Sequence, residues 1–142
     1  MDYSYIIIPI IVLLTSQAIK LTTDGIKGNF DFRNIFISYG GMPSSHAAFS
    51  TAITTLLGLR LGLSSPLFAV SLIFTLLIIR DAIGFRAIIG RQAALLNVLV
   101  KRLPASERKN LPDLYERMGH SILEVCAGIG WSVILTYFLS LI

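Results

Sequence analysis

The chain has 142 residues, 54% of them hydrophobic and only 14% charged, with a mean hydropathy of +0.75. Soluble domains carry about 25% charged residues, so this balance excludes an ordinary soluble enzyme. At about 20 apolar residues per crossing there is room for about four or five membrane helices in a single membrane-embedded domain over residues 1–142, and none for a separate soluble domain. The formal charge of +4 is spread along the connections rather than massed in one tract, which argues against nucleic acid and for anionic lipid headgroups or phosphate substrates as partners.

The first apolar run extends from about Tyr3 to Leu21, with Pro9 near its start, where a membrane helix tolerates it. No basic n-region or small-residue cleavage site precedes it, so it reads as a retained first span. The second run follows Gly40-Gly41-Met42-Pro43-Ser44-Ser45 and continues from His46 to about Leu63, with Ala47, Ala48, Ser50, Ala52, Thr54 and Thr55 suited to close helix packing in lipid. The third, Pro66 to Ile79, is short for a crossing, and Arg80-Asp81 interrupts it, which predicts a tilted, thin or re-entrant segment. From Ile88 to about Leu103 the spacing predicts an amphipathic helix along the membrane surface. Residues 104–117 are strongly polar and read as a mobile loop, and Ile122 to Ile142 form the last span. The lone cysteine, Cys126, reads as a small apolar packing residue.

The expected fold is therefore an all-α integral membrane helical bundle of about four transmembrane helices plus a short amphipathic or re-entrant helix. With four spans, every lysine and arginine except Arg60 falls on one side, which the positive-inside rule makes cytoplasmic.

Both histidines of the chain open predicted spans on that side. Ionisable groups near a bilayer are expensive and usually line a polar site, although either histidine alone also fits a satisfied structural role. Before His46, Gly40 and Gly41 permit close backbone approach, Pro43 suits a first helical turn, and Ser44 and Ser45 can cap exposed amides. The same pattern describes an ordinary helix start or an anion site at a helix N-terminus. His120 precedes Glu124 by one helical turn, the spacing at which a carboxylate can hold one ring nitrogen and leave the other as a lone pair, or simply form an ion pair. Arg80-Asp81 reads either as a mutually neutralising pair or as a source for Asp81 to restrain Arg86 or Lys20.

These residues resemble the type 2 phosphatidic acid phosphatases, and more closely their divergent small bacterial and plastid branch. Gln17, Lys20, the Gly41-to-His46 block, Arg80-Asp81-Ala82, Gly84, Arg86, Gly90, Gln92-Ala93, Leu96-Asn97, Gly119-His120, Glu124-Val125 and Gly128 carry the likeness over nearly the whole chain. Where the wider family has a lysine followed by Arg-Pro, this chain has Lys20 and then Lys27-Gly28; its Pro-Ser-Gly-His is Pro43-Ser44-Ser45-His46 here. His120 and Glu124 keep the family's His-to-Asp spacing, and Asp113-Leu114 stands at its Ser-Arg.

The resemblance implies hydrolysis of a phosphomonoester or diphosphate through a phosphohistidine, without metal or cofactor. By carry-over His120 is the nucleophile, Glu124 orients it and His46 protonates the leaving oxygen. Lys20, Lys27, Ser44 and Ser45 would hold the phosphoryl oxygens, with Arg86 or Arg117 replacing the missing arginine and Asp81 and Gly41 in support. The expected substrate is a lipid phosphate or polyprenyl diphosphate in a bacterial plasma membrane. The alternative is an inactive protein that binds phosphate-bearing lipid or organises partners. A thin four-span bundle is also compatible with a homodimer.

Overall fold

Alanine, serine and threonine recur through the second apolar run, and that run becomes the centre of a helical bundle. In the computed structural model, which describes residues 3–23, 41–109, 111–116 and 118–142, the regular elements are all helices: α1 (Ser4–Thr23), α2 (Ser45–Leu61), α3 (Pro66–Ile83), α4 (Phe85–Lys101), the short α5 (Ala105–Arg108) and α6 (Ile122–Ser140). Helix α2 packs against α1, α3 and α6. Its Ala47, Ala48, Ser50, Ala52, Thr54 and Leu56 are buried.

Lipid chains are as apolar as leucine, so burial of apolar surface gives little drive for helices to associate inside a bilayer, and close approach of small residues supplies it instead. Hydroxyl groups then set the register. Thr75 donates to the Ser50 carbonyl at 2.9 Å and lies 2.9 Å from the Thr54 hydroxyl, joining α2 to α3. Ser132 of α6 donates to the Ala48 carbonyl at 2.6 Å. Such bonds average only about 0.6 kcal/mol in a membrane; their main effect is to select one rotation of each helix. Ile8, Val12, Ala48, Ala52 and Leu56 form the core, flanked by Trp131, whose indole N–H donates to Thr15 at 3.2 Å. At the other end of α2, Arg60 hydrogen-bonds Ser4 and lies over the Tyr5 ring.

Outer faces are apolar, as lipid requires: Ile6, Ile7 and Leu14 of α1, Val70, Ile73 and Phe74 of α3, and Ile134 and Phe138 of α6 are exposed. Helices α1 and α6, and the stretch from α3 into α4, are long and apolar enough to cross a membrane.

Two expectations change. The third run is longer than its apolar stretch suggests: α3 continues through Arg80-Asp81 to Ile83, giving 18 residues and about 27 Å of helix. The polar pair sits in its last turn. The polar stretch 104–117 is a loop over most of its described part, but one that is tied to α4. It contains α5, and Asn97 holds it to α4 by donating to the Leu114 carbonyl (2.7 Å) and the Glu116 carboxylate (2.8 Å) and accepting from the Leu114 N–H (2.9 Å).

Candidate active site

The starts of α2 and α6, beside which the two histidines stand, are fastened together. Ser44 caps α2, its hydroxyl accepting from the Ala47 N–H at 3.5 Å, so His46 lies in the first turn. Pro43 precedes the cap rather than occupying the first turn, and Gly41 adopts φ +92°, a left-handed conformation that favours glycine. The Ser44 N–H donates to the Glu124 carbonyl at 2.9 Å. A Cβ on Gly128 would lie 2.5 Å from the Ser44 carbonyl oxygen, so only glycine permits this contact.

His120 is held on three sides. Its backbone N–H donates to the Ala82 carbonyl at the end of α3 (3.0 Å), and the preceding Gly119 turns with φ +97° against the backbone of Ala87. Its Nδ1 lies 3.1 Å from Glu124 Oε2. The same carboxylate oxygen accepts from the Ser121 N–H at 2.9 Å, while the Ser121 hydroxyl accepts from the Glu124 N–H at 3.2 Å. This reciprocal capping box starts α6 and fixes the carboxylate before it meets the imidazole. Nδ1–H donation to Glu124 leaves Nε2 as a lone pair.

Lys20, in the last turn of α1, is buried, and Arg86, in the first turn of α4, pairs with Asp81 at 2.6 Å. Of the two readings of Arg80-Asp81, the restraint of Arg86 is the one realised. Arg86, His120, Lys20 and Asp81 all act electrostatically on His46, and Lys20 and Arg86 act on His120 as well. Burial holds the His120 pKa below the ordinary histidine value; its hydrogen bond and charge attraction to Glu124 oppose that shift, and Lys20 and Arg86 add to it. The imidazole is therefore neutral at pH 7, the form in which it can attack.

Ser45 is buried, and its hydroxyl has no hydrogen-bond partner among the described residues, as suits a group beside an anion. An open groove of about 470 Å³ runs past His120, with Gly90, Arg91, Glu116, Met118 and Ser121 in its walls. Lys27, Gly40 and Arg117 lie outside the described residues. Two residues take roles that their sequence positions did not assign to them, Ser121 and Asn97. Ser121 is visible in hindsight as the start of the Ser-x-x-Glu capping signature; Asn97 has no comparable local signal.

Comparison with known proteins matches the Divergent PAP2 family over residues 1–135. The chain belongs to that family. It is also 37% identical, over 141 residues and 89% of each chain, to the uncharacterized membrane protein YuiD of Bacillus subtilis (strain 168). No solved structure matches it. With that relative labelled a membrane protein and three apolar stretches of spanning length, this divergent PAP2 protein is an integral membrane protein.

Proposed function

We propose that this protein hydrolyses a lipid phosphate or polyprenyl diphosphate through a phosphohistidine on His120. The observation that carries the reading is the His120–Glu124 pair, held by the Ser44 N–H to Glu124 carbonyl bond against the turn that leads into His46, with Lys20 and Arg86 near enough to act electrostatically on both imidazoles.

Nε2 of His120 attacks phosphorus as the P–O bond to the leaving group breaks, an ester bond in a lipid phosphate and an anhydride bond in a diphosphate, and His46, protonated once the bound phosphate's charge offsets Lys20 and Arg86, gives its proton to the leaving oxygen. Neutral His46 then takes a proton from water, which attacks the phosphohistidine and releases inorganic phosphate and free His120. Lys20 and Arg86 neutralise charge on the equatorial oxygens, and the phosphate offsets the repulsion between these cations. Arg86, fixed by Asp81, takes the role of the arginine that the wider family carries where Asp113-Leu114 stands here. The crowding of basic residues supports a site on the cytoplasmic face of a bacterial plasma membrane.

The test is phosphate release by the purified protein in detergent from a panel of lipid phosphates and polyprenyl diphosphates. Release by wild type, abolished in His120→Ala and reduced about 10²–10⁴-fold in His46→Ala, supports the reading. Full activity in His120→Ala contradicts it. The substitution of Ser-Arg by Asp113-Leu114 favours a second reading, binding without turnover, whose signature is saturable lipid-phosphate binding with no release.

A further inference from the structure

Helix α4 is packed on one face only. Its buried residues Gly90, Ala93 and Asn97 share one stripe. Gly90 lies against the backbone of Glu116 and Met118, and Asn97 binds Leu114 and Glu116, so the returning segment covers that stripe. On the opposite face Phe85, Ile88, Ile89, Leu95, Leu96 and Leu99 are all exposed. With 3.6 residues per turn they occupy an arc of roughly 120°, the width of an amphipathic helix's apolar face. Arg91 and Arg102 fall along one edge of the arc, and α4 contains no aspartate or glutamate.

The chain cannot carry this apolar face straight across a bilayer. From Pro66 to Lys101 is 36 residues, or about 54 Å of helix against a hydrocarbon core of about 30 Å. Helix α3 alone uses nearly that thickness, and the helix breaks at Gly84, whose φ −93° and ψ −85° are not helical. The break falls at the polar end of the bundle, beside Arg80, Asp81 and Arg86. The exposed apolar surface of α3 thus passes into that of α4 across this break.

We infer that α4 is an interfacial helix lying in the plane of the membrane, with Ile88, Leu95 and Leu99 among the acyl chains and Arg91 and Arg102 on the phosphates of anionic lipids. The apolar face supplies membrane affinity, and the flanking arginines, followed by Lys101, Arg108 and Lys109, supply preference for negative headgroups.

The test uses full-length protein with Cys126→Ser and single cysteines introduced in turn at Ile88, Arg91, Leu95, Leu99 and Arg102, each carrying a fluorophore. The proteins are reconstituted in vesicles of phosphatidylcholine, with or without phosphatidylglycerol. Quenching by lipids brominated along the acyl chain should be strongest at 88, 95 and 99, and quenching by aqueous iodide strongest at 91 and 102. Phosphatidylglycerol should raise bromolipid quenching at 95 by about 1.5–2-fold, and Arg91→Gln with Arg102→Gln should remove that increase. None of these readouts depends on turnover at His120. Uniform iodide quenching would place α4 in water. A monotonic depth gradient from 88 to 102 would make it a crossing or re-entrant helix, and protection from both quenchers with intermolecular crosslinking would put a second copy on the face. Each of these outcomes, or indifference to phosphatidylglycerol, overturns the inference.

Discussion

Gly128 in α6 lies so close to Ser44 that a Cβ would meet the Ser44 carbonyl oxygen at 2.5 Å. This contact brings the α2 start, with His46 two residues beyond Ser44, against the first turns of α6, which hold Glu124 and follow directly on His120. Gly128→Ala must push the helices apart, at a cost of about 1–3 kcal/mol for an overpacked contact. We expect a lowered Tm in detergent and a fall in turnover larger than the fall in phosphate-lipid binding. An unchanged Tm and turnover would show that the seam tolerates separation.

Arg86 and Asp81 should respond unequally. Their side chains are 29% and 41% exposed, so the ion pair itself contributes only about 0.2–1 kcal/mol. Arg86→Ala removes a cation from the transferring phosphoryl group and should lower kcat/KM about 10²–10³-fold. Asp81→Asn only loosens that cation and should cost up to about fivefold. Equal losses in steady-state kinetics would mean that the carboxylate has a direct role.

Asn97 fastens the segment that leads into His120. Asn97→Ala removes three hydrogen bonds, while the exposed Leu114 backbone groups can turn to water, so the stability cost should be modest, about 1–2 kcal/mol. Hydrogen exchange of the 111–116 amides should accelerate while that of α2 is unchanged. Unaltered exchange at Leu114 would show that other contacts hold the segment.

The acid limb of activity follows from His120. Its folded pKa lies below the ordinary value of about 6.5, so the neutral nucleophile persists at pH 7 and is lost as pH falls through the folded pKa. Linkage has the same sign: the histidine's contribution to stability is complete above the unfolded pKa and disappears below the folded one. Glu124→Gln removes a charge that favours the imidazolium, so the His120 pKa should fall further and the acid limb move to lower pH, with kcat reduced on the order of 10²-fold as the ring loses its restraint. Imidazole NMR titration of protein carrying His46→Ala isolates His120; an upward shift in Glu124→Gln would contradict this assignment.

Features set by local spacing were legible from the residues alone. The His120–Glu124 pair follows from one helical turn, the α2 interface from its run of small residues, and the amphipathic α4 from its period. What was not legible depended on contacts distant in sequence or on a change of helix direction. Asp81 reaches Arg86 across the break at Gly84, so adjacency in sequence alone could not decide between Arg80 and Arg86 as its partner. Asn97 finds Leu114 and Glu116 across a turn whose path no local rule specifies. The length of α3 was underestimated because a polar pair in a terminal turn looks, in one dimension, like an interruption.

The proposed phosphohistidine is tested most directly by rapid acid-free quenching of the purified protein with substrate labelled in its phosphoryl group. Wild-type protein should carry a label that is acid-labile and alkali-stable, that appears before product release is complete and that is absent in His120→Ala. Phosphate release from wild type with no labelled protein, or a label that persists in His120→Ala, would contradict it.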